Sequence, residues 1–521
     1  MNKLRKLYNK VPKPVINRIP LAVFLILYFA FSLITYKDYG ITWDERDVYV
    51  HGEQYYLHST GKPTDFFNRD LGSAQRENLL VLYNHFYPGI LYGINYFATG
   101  SREINYTFLH LINLLISSVI FIFIYEVLLR HYKRSYLAIL GPILLLFVPR
   151  FIGDLPTNVR DISFALAFTI SISFIYLLRN TNSKFKLIML SLSFGFSQIL
   201  RVVGFTLYFI YLGFSLIQEL RVNKKITLKY IKDEVLNLII IGLISFFVNI
   251  VTSPYLGSNF IVNFINSLKY ARAIGSQGTM LYNGDQILYA DGGIGYLPTI
   301  LLITTPIFIF VFAAYSLYRL IKNKFKHDLL LIFWISIILS LALYFITKPI
   351  IFDGIRHFLF LLPLLSVVST IGFIEFIKIK NLKIKAAGTL FICINLILVL
   401  IQYANLYPYH YIYFNELVGY INRAYGRYEN DYWGASYKEA IEWLKSNEIE
   451  NTKEYSIKTC AHPAQSIYYF EDNMKWVNNI EDANYYVCYD RGSENLIVDQ
   501  SKLIHTVSRS GINLNYIYKL R

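Results

Sequence analysis

From Leu21 to about residue 403, long apolar runs alternate with short polar ones, and beyond that point the alternation stops. The runs are Leu21 to Tyr36, then approximately 104–129, 136–151, 161–179, 186–201, 202–219, 235–252, 297–318, 329–347, 357–377 and 386–403. Most approach the length a helix needs to cross a hydrocarbon layer of roughly 30 Å. They predict a polytopic α-helical membrane protein with about eleven spans. An odd number sets the two chain ends on opposite sides. The polar segment 37–102 follows the first span. Within it, 79–98 is apolar but interrupted by Asn84, His85, Pro88 and Gly89, which predicts an interfacial helix rather than a span. A second polar stretch, 253–296, is long for a loop and reads as a lid over a membrane-facing cavity. It carries Tyr282-Asn283-Gly284-Asp285-Gln286 and the turn Asp291-Gly292-Gly293. From residue 404 the pattern is that of a small mixed α/β domain. A helix is expected near Tyr437–Lys445, with strands at Tyr455–Thr459, Tyr485–Tyr489 and Asn515–Leu520. The chain thus divides into a membrane part, 1–403, and an outer domain, 404–521.

Composition narrows the class. Of 521 residues, 55% are apolar and only 16% charged. That excludes a soluble multidomain enzyme, a disordered scaffold and a disulfide-rich secreted module. A net charge of +15 would point to nucleic acid in a soluble protein. Here Lys and Arg are roughly fourfold denser in the N-terminus and the loops 130–135, 179–186, 220–234, 319–327 and 377–385 than in the alternate loops. This bias places the N-terminus in the cytoplasm and the C-terminal domain outside the cell membrane. It also removes the nucleic-acid reading. The basic N-terminus and first apolar run resemble a signal peptide, but no small-residue cleavage site follows, so an uncleaved first span is expected. The 45 Tyr, many at segment ends, suit interfacial belts. Cys393 falls in a span. Cys460 and Cys488 fall in the outer domain, where an oxidising compartment would pair them and a reducing one would leave two thiols.

Candidate chemistry lies at the outer surface. No P-loop, Rossmann glycine pattern, H-E-x-x-H or C-x-x-C is present. An enzyme of this sequence must therefore receive its driving energy with its substrate, as an activated lipid-linked donor provides. Trp43-Asp44-Glu45 sets two carboxylates just beyond the first span, with His51 and Glu53 following. A partly desolvated carboxylate there suits a general base, although acidic residues are also ordinary in such a loop. Arg150, Asp154, Arg160 and Asp161 flank one outer turn, and Arg201 sits in another. Lys348, Asp353, Arg356 and His357 precede the tenth span. Arginine binds phosphate through paired hydrogen bonds, so Arg356 and Arg201, with His357, are the expected donor-phosphate groups. His85, Arg150, Arg160 and Asp161 are candidate substrate contacts. The alternative for these charges is mutual pairing at span ends.

Several stretches carry a resemblance: Gly40-Ile41-Thr42-Trp43-Asp44-Glu45, Pro149-Arg150-Phe151, Arg160-Asp161-Ile162, Leu200-Arg201-Val202-Val203-Gly204, Tyr296-Leu297-Pro298, Thr304-Thr305-Pro306 and Asp353-Gly354-Ile355-Arg356-His357-Phe358. Tyr407-Pro408-Tyr409 through Asn415-Glu416-Leu417 and Asp431-Tyr432-Trp433-Gly434 extend it beyond the last span. Over nearly its whole length the chain resembles membrane glycosyltransferases of the GT-C fold, near the dolichyl-phosphate-mannose–protein mannosyltransferases and the lipid A aminoarabinose transferases. The resemblance implies a polyprenyl-phosphate sugar donor, inverting transfer on the extracytoplasmic side, and an acidic base in the first outer loop. That role falls on Asp44, with Glu45 beside it. The acceptor would be a protein, a lipid or a glycan. No cofactor or metal is implied, though the Asp44–Glu45 pair offers a divalent cation two carboxylates. One motif departs: family members often read His-Pro-Pro where this chain has Asn84-His85-Phe86-Tyr87-Pro88. The rival readings are a transporter or flippase of lipid-linked sugars, a ligase of lipid-linked glycans and a structural scaffold. The absence of an internal repeat and the position of Asp44 weigh against them.

Overall fold

The computed structural model describes residues 13–62, 85–179, 181, 183–253, 259–274, 278–460, 463–491 and 497–521. The membrane part is helical: α1 Ile19–Thr35, α2 Trp43–Ser59, α3 Phe86–Thr99, α4 Tyr106–Tyr132, α5 Ser135–Leu146, α6 Pro149–Asp154, α7 Val159–Leu177, α8 Lys184–Leu200, α9 Val202–Asn223, α10 Leu228–Thr252, α11 Phe260–Ile274, α12 Tyr296–Thr304, α13 Ile307–Lys322, α14 Asp328–Thr347, α15 Leu361–Phe376 and α16 Leu382–Leu406. Among the described residues, six of these (α4, α7, α9, α10, α14 and α16) are long and apolar enough to cross a membrane, and the bent pair α12–α13 makes a seventh. Helices α1, α5 and α15 are apolar but shorter. Of the stretch 79–98, expected as one helix, residues 86–98 lie in α3, which packs against α2; residues 79–84 fall outside the described set.

Two expected spans are broken, each at a proline. The run 136–151 stops at Leu146, and α6 starts afresh with Pro149 at its first position, where a missing N–H costs nothing. The run 297–318 is cut at Pro306, and α12 and α13 meet at 111°. Thr305 before that proline is extended (φ −117°, ψ 136°), as the pyrrolidine ring demands of its predecessor. The carbonyls freed by the bend are not left bare. The Asn415 side chain donates to Leu302 O (2.6 Å) and Thr305 O (2.7 Å), and its backbone N–H donates to Ile303 O (2.8 Å). The expected span 357–377 also begins late, because Arg356–Phe358 forms a 3-10 turn ahead of α15.

Between α11 and α12 lies a hairpin of β1 Thr279–Tyr282 and β2 Asp285–Leu288. It docks on the chain beyond the last span: Gly284 N donates to Arg427 O (3.0 Å) and Arg427 Nη2 to Asn283 Oδ1 (2.9 Å). The C-terminal part holds α17 Tyr437–Asn447 and β3 Tyr455–Thr459, β4 Met474–Trp476, β5 Tyr485–Tyr489, β6 Leu503–Arg509 and β7 Ile512–Lys519. The sheet order is β4-β3-β5-β7-β6, with β3 parallel to both β4 and β5 and the β5–β7–β6 side antiparallel. Strand β5 is central and buried throughout, and Cys488 on it is disulfide-bonded to Cys460 just past β3.

This sheet is fastened to the start of α2. Trp43 N donates to Trp433 O (3.0 Å), Ile41 N to Tyr469 Oη (2.9 Å) and Gln465 Nε2 to Ile41 O (3.3 Å). Gly40 lies so close to the Ala435 carbonyl that a Cβ there would overlap it. Gly153 in α6 is likewise pressed against the backbone of His410 and Tyr411. Both contacts pin this end of the bundle against the chain that follows α16.

Candidate active site

Asp44 opens α2. Thr42 and Glu45 form a capping box: Glu45 Oε2 accepts from Thr42 N (2.8 Å) and Thr42 Oγ1 (3.2 Å). Its other oxygen, Oε1, lies 2.9 Å from His110 Nε2, with both side chains buried. Glu45 is thus occupied in starting the helix and holding it to α4. Successive helical residues point about 100° apart, so Asp44 faces elsewhere. Glu45, expected beside Asp44 as a second catalytic carboxylate, is engaged by Thr42 and His110 instead. Among the described residues, no group of three or more His, Cys, Asp or Glu side chains is arranged to hold a metal ion.

Asp44 Oδ2 meets Arg356 Nη1 at 2.5 Å, across 312 residues of chain. The Asp44 side chain keeps 30% of its surface, while Arg356 keeps 8%. Burial pushes the Asp44 carboxyl up. The pull of Arg356, followed by Arg160 and Arg201, outweighs it and leaves Asp44 below the usual carboxylate range. Three arginines from α7, from the turn after α8 and from the 356–358 turn therefore surround one carboxylate. The Arg356 guanidinium also lies over Phe352 (5.0 Å to the ring centre) and Trp433 (5.8 Å).

Arg356 is held from behind. Its Nη2 is 3.3 Å from Asp353 Oδ2, and Asp353 Oδ1 accepts from Arg491 Nη2 at 2.8 Å. Arg491 lies just past β5. It also donates to Tyr432 O (2.7 Å) and Tyr289 Oη (3.0 Å) and pairs with Glu429 (3.5 Å). Charges alternate along Asp44, Arg356, Asp353, Arg491 and Glu429. Burial holds the Glu429 carboxyl above its usual range against the pull of Arg491. Sequence reasoning missed Arg491, Glu429 and Tyr289; a lone arginine after a strand carries no local signal.

The remaining candidates divide. Arg201 pairs with Asp161, and Asn158 ties Asp161 to Asp154 through hydrogen bonds of 3.1 and 2.8 Å. Asp161, expected to touch substrate, is therefore buried as a counter-ion. Arg150, expected likewise, is 1% exposed. It donates to Tyr413 O (3.0 Å) and Tyr432 Oη (3.4 Å) and lies over Phe414, a strut between α6 and the chain beyond α16. Arg160 stands at the site, within electrostatic reach of Asp44. His85 is buried and stacked on His51 (5.1 Å); burial, then His51 and Arg160, hold it well below the usual histidine range. His357 packs edge-on against Phe352 (5.0 Å), and burial with Arg201, Arg356 and Arg160 depresses it in the same way. His357, expected as a phosphate-binding group, is thus held against taking up a positive charge.

No family model matches the chain. No curated protein matches it in sequence. Among solved structures, ArnT from Cupriavidus metallidurans bound to undecaprenyl phosphate is similar at a TM-score of 0.48 and 11% identity, over 95% of this chain and 98% of that one. The oligosaccharyltransferase AglB from Archaeoglobus fulgidus, in complex with an inhibitory peptide and a dolichol-phosphate, is similar at 0.45 and 12%, over 90% and 69%.

Proposed function

We propose that this chain is a membrane glycosyltransferase that moves a sugar from a polyprenyl-phosphate donor to an extracytoplasmic acceptor with inversion. The observation that carries the reading is one half-exposed carboxylate, Asp44, facing Arg356 with Arg160 and Arg201 around it. The arginines suit the donor phosphate and the charge that grows on it as the glycosidic C–O bond breaks. Asp44 suits the acceptor O–H or N–H, taking its proton as that atom attacks the anomeric carbon. A single displacement needs no second carboxylate, which fits the withdrawal of Glu45 into the capping box.

The ion pair gives this site an order of events. Alone, Asp44 is a weak base, because arginines hold it ionised. A donor phosphate draws those cations to itself. Burial, the largest influence on Asp44, then acts with less opposition, and the carboxylate becomes more basic once the donor is bound. A free protein thus keeps its base quiet until there is a sugar to transfer.

The test is release of polyprenyl phosphate from labelled polyprenyl-phosphate sugars by the purified protein in lipid, with a membrane extract as acceptor source. Turnover of one donor, reduced more than about a hundredfold in Asp44→Asn, supports the reading. Undiminished turnover in that variant moves the base elsewhere. Donor movement across the bilayer without release makes the protein a transporter.

A further inference from the structure

The end of the bundle away from Asp44 has a second constructed feature. The ends of α4 and α7 and the turn 322–328 between α13 and α14 enclose a cleft of about 620 Å³. Four cations line it, Arg179, Lys322, Lys324 and Lys326, against one carboxylate, Asp328. That carboxylate is already engaged by Arg179 (3.3 Å) and by Arg221 (2.7 Å). Among the described residues no acidic group pairs with any of the three lysines.

The turn that presents them is fixed rather than loose. Lys324 and Phe325 adopt left-handed backbone conformations (φ 52° and 59°). Three hydrogen bonds close the turn: Phe325 N to Leu320 O (2.9 Å), Lys324 N to Ile321 O (2.9 Å) and Lys326 N to Asn323 O (3.1 Å). His131 and His327 meet at 4.2 Å with tilted rings and join α4 to the start of α14. Apolar surface adjoins the lysines: Tyr318, Ile321 and Phe325 are each about half exposed (52%, 55% and 45%). Cations beside exposed rings at the end of apolar helices is the composition of a headgroup-level anchor.

We propose that this cleft binds the phosphate of an anionic glycerophospholipid from the leaflet it faces. A free phosphate would satisfy the lysines and leave the rings uncovered. A lipid satisfies both, with its phosphate among Lys322, Lys324 and Lys326 and its glycerol and upper acyl chains over Phe325 and Ile321. The site is independent of the transfer reaction proposed above.

The full-length protein in mixed nanodiscs, probed by native mass spectrometry, tests this. Wild type should retain phosphatidylglycerol over phosphatidylcholine. Each lysine near a headgroup is worth about fivefold in such a preference. Lys322→Gln/Lys324→Gln/Lys326→Gln should therefore lower it by about a hundredfold, while Lys383→Gln/Lys385→Gln, in the first turn of α16 at the same end, leaves it unchanged. The single variant Lys326→Glu gives the same reading if the triple variant melts early. Equal loss in both sets of variants would mean a diffuse basic surface and overturn the proposal. So would the absence of any preference in wild type, or displacement of the lipid by glycerol phosphate.

Discussion

Donor binding should make Asp44 easier to protonate, by an amount the geometry bounds. The perturbation is occupancy of the arginine cradle by a phosphodiester, which carries one negative charge across the whole working range. Its charge offsets about one arginine. Two unit charges about 4 Å apart interact by about 1 kcal/mol in water and about 4 kcal/mol at an effective dielectric constant of 20. Asp44 retains 30% of its side-chain surface, so the lower half of that interval applies. At 1.36 kcal/mol per unit, this is a rise of roughly one to two pKa units. The assay is polyprenyl phosphate release between about pH 2 and pH 9, at low and at saturating donor, since the first reports the free protein and the second the complex. The active form is the carboxylate. At low donor, activity should persist below the usual carboxylate range and fall only as pH drops through the depressed value. At saturating donor the same loss should begin one to two units higher. Arg356→Gln should raise the low-donor limb in the same direction without donor saturation. Coincident limbs, or a lower limb at saturating donor, would refute the argument that the arginines restrain the base.

Three further outcomes follow from the fold. Asn415→Ala strips the Leu302 and Thr305 carbonyls of their donors at the α12–α13 bend; with about 1–3 kcal/mol for each buried group left unpaired, thermal or denaturant unfolding should show a loss of about 2–6 kcal/mol. Alkylation of the unreduced protein should label Cys393 alone, and Cys460→Ala/Cys488→Ala, opening a loop of sequence separation 28, should cost about 3–4 kcal/mol of stability. Burial raises Asp154 to about 7 against the Asn158 hydrogen bond and the pull of Arg150 and Arg356. The folded state therefore binds that proton more tightly than the unfolded chain, so its contribution is complete below about pH 4 and is lost as pH rises toward 7. Melting temperature should fall over that window, and Asp154→Asn should flatten the fall and stabilise the protein at about pH 8.

How much of this was legible depended on the range of each interaction. The apolar runs are local, and each becomes helical. The breaks at Pro149 and Pro306 were visible as residues, but a run's mean hydropathy passes over one proline. Thr42-Trp43-Asp44-Glu45 also held a capping box in plain view. The same Thr-x-x-Glu spacing that starts α2 separates Glu45 from Asp44. The short strand β4 and the half-exposed edge strand β6 lack the continuous burial that marks β5. What no local pattern carries is the meeting of Asp44 with Arg356, and of Asp353 with Arg491 138 residues later.

That second meeting bears on how the site works. Arg356 sits between two carboxylates, Asp44 in front and Asp353 behind. Without Arg491, Asp353 would have no second cation and would draw the Arg356 guanidinium back, away from both Asp44 and an incoming phosphate. Arg491 comes from the sheet, two residues past the central strand, and the same sheet domain holds the start of α2 through Gln465 and Tyr469. The C-terminal domain thus fixes both members of the Asp44–Arg356 pair, one through the backbone and one through charge. Moving that domain by the length of one hydrogen bond would alter the separation of base and cation directly, so the domain is part of the site's construction and not an appendage beside it.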